Sequence, residues 1–277
     1  MGLGMCSQKR LVHQPGLLCD TGKYAKVATT AALDNKTNFT VLQFLHVNGA
    51  EGANGVGGTT FSMWDGTDGL HNYFAGGTGF IITKGQSTGD ISVDVGTIAL
   101  AQFGGSGNTT QDGGSTIAWA YTFDESAASN SSKLYYYTID RGKLFDDENN
   151  TEANMGALGT STEIRLGNMT TNGTNLSYAA TGDKVGKTAI WNSTLTAAEI
   201  DKLVNYTTDG CMIYDVSGRA GAAGYTTLGI AQPNHEWQPT LNNADGSAVT
   251  QILDTGSTGG FDLSFVGSPK IATHGAY

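Results

Sequence analysis

Gly186-Lys187-Thr188-Ala189-Ile190-Trp191-Asn192-Ser193-Thr194-Leu195-Thr196-Ala197-Ala198-Glu199-Ile200 is the stretch on which the fold turns. Its first half reads as a strand, rich in β-branched and aromatic residues. Its second half starts a helix. Thr196-Ala197-Ala198-Glu199 is a capping box: the Thr196 side chain accepts from the backbone at Glu199, whose carboxylate reaches back. Leu195 precedes the cap, and Ile200, Leu203 and Val204 supply an apolar face up to Asn205. A strand returning to a sheet and then one capped helical turn suits a β-sandwich, with Leu195, Ile200 and Leu203 plugging its end.

Outward from this stretch the chain reads as short strands. Upstream, Lys23-Tyr24-Ala25-Lys26-Val27 alternates, and Asn38 to Val47 is a long, strongly apolar strand. Shorter strands are expected near 59–64, 71–75 and 79–84, then at Ile91–Val95 and Ile98–Phe103. Thr116 to Asp124 is a further strand. Lys133 to Ile139 and Lys143-Leu144-Phe145 make a hairpin around Asp140-Arg141-Gly142, and Thr162 to Gly167 is the last strand before the opening stretch. Downstream, Cys211–Tyr214, Val249–Leu253 and Phe261–Val266 read as strands. Asn48–Gly58 and Gly104–Gly114 are Gly-rich loops. Many short strands without alternating helices argue for an all-β sandwich rather than an α/β fold.

The composition agrees. With 40 Gly but only 4 Pro in 277 residues, and 39% hydrophobic residues, the chain has turn formers and enough apolar mass for a core. A net charge of −10, with no basic cluster beyond Lys9-Arg10, excludes the usual nucleic-acid binder and an anionic membrane surface. No stretch approaches the ~20 apolar residues of a spanning helix. No 7–15-residue apolar run of a secretory leader follows Met1, so the expectation is synthesis in a cytoplasm without export. Cys6, Cys19 and Cys211 match neither a disulfide framework nor a zinc motif.

Three segments in order resemble the laminin-G-like jelly roll of the concanavalin-like superfamily. Asn38-Phe39-Thr40-Val41 is similar to the strand that opens such domains. Trp119-Ala120-Tyr121-Thr122-Phe123-Asp124, with Lys133-Leu134-Tyr135-Tyr136-Tyr137 and Asp140-Arg141-Gly142, resembles the family's central hairpin, though Thr138-Ile139 lengthens the spacing. Ile164-Arg165-Leu166-Gly167 and the opening stretch through Ile200 resemble its closing strand and capped helix. The resemblance covers about 24–206. It implies an antiparallel jelly-roll sandwich with one short helix, preceded by an arm at 1–23 and followed by a β-rich extension or small second domain at 207–277.

Within that family, Gly/Thr/Asn-rich and cysteine-poor versions resemble those of bacteriophage virions. His235-Glu236-Trp237-Gln238-Pro239, Asp245–Val249 and Asp254-Thr255-Gly256 are similar to segments beside such phage domains. The resemblance implies a non-enzymatic virion protein, a capsid decoration, head-fibre or tail component. Its partners would be capsid or tail proteins and copies of itself. The alternative is a carbohydrate-binding attachment module for surface glycans.

No catalytic, cofactor or metal residue is assigned from the sequence. A glycosidase of this superfamily carries two or more carboxylates on one strand. None of Glu51, Glu125, Glu148, Glu152, Glu163, Glu199 and Glu236 belongs to such a motif. Glu163 opens a strand alone, and Glu199 is spent in the capping box. His13, His46, His71, His235 and His274 are scattered. Asp65-Gly66-Thr67-Asp68-Gly69 and Asp112-Gly113-Gly114 carry oxygens that a calcium ion takes, and turn chemistry accounts for them equally well. Trp64, Tyr73 and Phe74 lie near loops, as pyranose-stacking or core residues.

Overall fold

The computed structural model describes residues 15–28, 36–47, 58–64, 69–75, 79–85, 91–92, 115–127, 132–138, 142–146, 163–171, 174–179, 182–204, 222–241 and 248–273. The strands begin with β1 (Pro15–Leu18), β2 (Tyr24–Ala28), β3 (Asn38–Val47), β4 (Phe61–Trp64), β5 (Gly69–Ala75), β6 (Gly79–Gly85) and β7 (Ile91–Ser92). Then come β8 (Ser115–Asp124), β9 (Ser132–Thr138), β10 (Gly142–Asp146), β11 (Glu163–Leu166), β12 (Asn168–Thr171), β13 (Thr174–Tyr178) and β14 (Lys184–Trp191). Helices α1 (Ala197–Val204) and α2 (Ala222–Leu228) precede β15 (His235–Trp237), β16 (Gln251–Ile252), β17 (Leu263–Val266) and β18 (Lys270–Thr273).

All described pairings are antiparallel. The first sheet runs β10-β9-β8-β3-β14-β1-β18, with β15 also pairing β14; the second runs β16-β17-β2-β11-β4-β5-β6-β7. Between them lies a core that includes Phe39, Val41, Trp119, Tyr121, Phe61, Leu166, Ile190 and Trp237. A polar knot fastens the sheets inside it. Gln43 Oε1 accepts from Trp119 Nε1 (3.1 Å) and Thr60 Oγ1 (2.7 Å), and Asn72 Oδ1 accepts from the backbone N–H of Phe61 (2.7 Å). Each buried amide is thereby matched, as burial requires.

The helical turn was expected to plug the sandwich end, but it covers a face. Ile200, Leu203 and Val204 of α1 and Tyr225 of α2 pack with Leu42, Phe44, Tyr135, Tyr137 and Trp191 on the outer side of the first sheet. Tyr137 OH donates to Asp201 (2.6 Å) and Trp191 Nε1 to the Ala231 carbonyl (2.8 Å), fixing both ends of this layer. The capping box forms as read: Thr196 N–H reaches Glu199 Oε2 at 2.8 Å and Glu199 N–H reaches Thr196 Oγ1 at 3.3 Å.

The described parts of the flanking segments share these sheets and this core. β1 lies between β14 and β18, with Pro15 opposite Thr273 and Leu18 opposite both Lys270 and Lys184. Leu17, Trp237, Ile252 and Leu263 are buried in the inter-sheet core. Glycine holds the seam: a Cβ on Gly267 (φ +69°) would stand 1.9 Å from the Gly22 carbonyl oxygen.

Candidate binding face

In the second sheet, Ile252, Leu263, Ala25, Leu166, Phe61 and Leu70 face the core. Alternation therefore sends their neighbours outward. One row of outward residues crosses the sheet as successive cross-strand partners: Gln251, Ser264, Lys26, Arg165, Ser62 and His71. All six are polar. Their burial is graded. Gln251 and Ser264 are exposed and Lys26 is intermediate, whereas Arg165, Ser62 and His71 are buried.

At the border between the open and covered parts sits a charged cluster. Glu163 and Arg165 are both on β11, two residues apart, so they share the outward side. Lys26 Nζ donates to Glu163 Oε1 at 2.7 Å, and Arg165 Nε to Glu163 Oε2 at 2.7 Å, with Nη2 on the same oxygen. Arg165 Nη1 donates to Asn168 Oδ1 at 2.6 Å, and its guanidinium lies 5.1 Å from the Tyr24 ring centre. Burial works to raise the Glu163 pKa, but the hydrogen bonds and charges of Lys26 and Arg165 outweigh it and hold the carboxyl below its usual range. The group is a fixed, ionised carboxylate between two cations. Farther along the row, burial holds His71 neutral, its pKa lowered to about 4 although the Asn72 carbonyl opposes the shift.

A second polar cluster lies on β15 and is structural. Its strand points His235 and Trp237 to one side and Glu236 to the other. His235 Nδ1 pairs with Asp254 Oδ2 at 2.7 Å, while its ring packs 4.6 Å from Phe261. Asp254 also accepts from the N–H groups of Glu236 and Gly256. Burial pushes the Asp254 pKa up, but these donors prevail and lower it. On the other side Glu236 bonds Lys187 and Tyr225 OH. Lys187 lies 5.2 Å from the Tyr225 ring centre, and burial lowers its pKa despite Glu236. The Lys187 and Glu236 side chains are only 5% and 11% exposed, so a ligand has no access to them.

The structure thus brings together two stretches the sequence quoted separately, His235–Trp237 and Asp254–Gly256. Trp119 and Trp191 are core residues. Glu163 opens its strand but is not alone. Cys19 is a buried thiol. The side chains of Trp64, Tyr73 and Phe74, the residues Asp65–Asp68 and Asp112–Gly114, and Cys6, Cys211, His13 and His274 lie outside what is described. Among the described residues, no three His, Cys, Asp or Glu side chains converge as metal ligands. Sequence reading missed Tyr24, Lys26, Arg165, Ser264 and Gln251. The alternation of Tyr24 to Val27 was the visible signal; the pairing of residues 26, 165 and 264 was not.

No family model and no curated protein matches the chain. Solved structures do. A candidate carbohydrate binding protein from Bacteroides ovatus is similar over 96% of this chain and 61% of its own, at 11% identity and a TM-score of 0.52. A heptameric SAP-like pentraxin from Limulus polyphemus matches over 70% of this chain and 82% of its own, at 10% identity and a TM-score of 0.44. The binding domain of botulinum neurotoxin serotype D matches over 69% and 42%, at 9% identity and a TM-score of 0.47. The chain thus spans less than two thirds of the Bacteroides and toxin proteins. The first likeness agrees with the fold described above, an antiparallel all-β sandwich of jelly-roll type.

Proposed function

We propose that this chain is a non-enzymatic attachment module that binds carbohydrate on the outward face of its second sheet. The polar row from Gln251 to Arg165 supports the reading. Helices cover the outer face of the first sheet, whereas Gln251, Ser264 and Lys26 keep the β16-β17-β2 end of the second open. Neither Gln251 nor Ser264 makes a side-chain hydrogen bond among the described residues. Such unspent donors and acceptors are what sugar hydroxyls need. The Bacteroides protein that shares the fold is itself a candidate carbohydrate binder. Glu163, the carboxylate of the cluster, is held by two cations, whereas glycoside hydrolysis takes a pair of carboxyl groups acting together.

The test is a glycan array with the whole chain, with and without calcium, repeated with Ser264→Tyr to obstruct the row. Binding that Ser264→Tyr abolishes is expected. Absence of any glycan binding, or undiminished binding by the variant, refutes the assignment. The calcium arm decides whether binding needs that cation.

A second reading, in which the module is carried on a bacteriophage capsid or tail, is favoured by one observation. Pro15 and Thr273 are cross-strand partners, so the first and last described residues lie side by side in the first sheet. A module held near that place keeps the face of its second sheet for attachment. Detecting the chain in purified virions, bound to capsid or tail proteins, would support this reading; finding it only off the particle would overturn it.

A further inference from the structure

We infer that the ligand of this face is an acidic glycan, with a sugar carboxylate received by Lys26. The inference rests on the carbohydrate-binding reading above and adds the charge of the ligand. Three observations carry it. First, the cluster sets Lys26 and Arg165 against the carboxylate of Glu163, two cations in a chain of net charge −10. Second, the charges are not equivalent. Glu163 gives one oxygen to each cation, and Arg165 is 5% exposed beneath the row. The Lys26 side chain is 36% exposed, and among the described residues its partner is Glu163. An ammonium has three donors, so the Lys26 head retains N–H groups for an incoming anion while Glu163 fixes its position.

Third, the surroundings of Lys26 suit a sugar rather than a bare ion. Ser264 stands directly opposite it and Gln251 opposite Ser264, which places hydroxyl and amide at successive steps of roughly 4.8 Å across the strands. Leu253, two residues beyond Gln251, is 53% exposed and offers an apolar patch beside the polar row. Cation, hydroxyl and amide in one line, with an apolar surface beside it, match a ring bearing a carboxylate, hydroxyls and a C–H face. A free inorganic anion has no use for the last two.

The experiment measures binding of the full chain to matched oligosaccharides, neutral and uronic- or sialic-acid-bearing, at low and high salt. The expected result is preference for the acidic set, weakened by salt. Lys26→Gln should lower affinity for it about tenfold or more, the loss of one charge-assisted contact. Lys23→Gln is the control: that side chain is 43% exposed and paired with Asp20, and its loss changes net charge equally. It should leave affinity unchanged. Thermal unfolding should show both variants folded. Equal or tighter binding of neutral sugars overturns the acidic assignment and leaves carbohydrate binding standing. Acidic binding that Lys26→Gln does not alter, or that Lys23→Gln alters as much, overturns the site. No binding to either set overturns both.

Discussion

Replacing Lys187 by Met removes one partner of the ion pair with Glu236, whose side chain is 11% exposed and cannot turn to water. Tyr225 OH would remain as its side-chain donor. Breaking a buried pair from one side typically costs about 3–5 kcal/mol, because the orphaned charge stays desolvated. Burial already holds the Lys187 pKa below its usual value despite Glu236, so the intact pair does not fully offset its desolvation. Removing all three polar groups together, as Lys187→Met/Glu236→Leu/Tyr225→Phe, should therefore recover most of the loss and fall within ~1 kcal/mol of the parent. Urea unfolding at neutral pH, with midpoints and slopes compared across the single and triple variants, measures this. A loss below ~1 kcal/mol for Lys187→Met, or a triple variant as unstable as the single, would refute the reasoning.

Three further outcomes are expected. His71 is neutral in the folded chain, its pKa lowered from 6.5 to about 4 by burial, so the unfolded chain takes up its proton first. Its contribution is whole above pH 6.5 and falls by roughly 3 kcal/mol as pH drops to 4, at ~1.4 kcal/mol per unit. His46 acts in the same sense, and His71→Asn should flatten the slope of stability against pH. Gly267→Ala should cost more than ~2 kcal/mol, because positive φ and a Cβ 1.9 Å from the Gly22 oxygen add strain to overpacking; an unchanged melting temperature would contradict it. Thr196→Ala should lose about 1 kcal/mol through the cap alone and leave glycan binding intact.

The elements that sequence read correctly are those whose signal is local. The capping box needs only residues 196–199, and Asn38–Val47 is a strand with the bounds its apolar run suggests. That run carried more than was read from it. Near-continuous apolar residues mean a strand buried on both faces, and β3 is buried beneath sheet on one side and helix on the other. β15 was invisible because His-Glu-Trp looks like exposed loop; it is buried only because Asp254, Lys187 and Tyr225 supply distant partners.

The sequence by itself determined an all-β chain of short antiparallel strands and the capped helix after Trp191, since turn residues, alternation and capping act over a few positions. Only the tertiary structure decided where that helix lies, how residues 15–18 and 235–273 enter the sheets, and that Gln251, Ser264, Lys26 and Arg165 form one row. Cross-strand register joins residues far apart in the chain. The side chains of the row became neighbours only when burial of their alternate partners fixed that register.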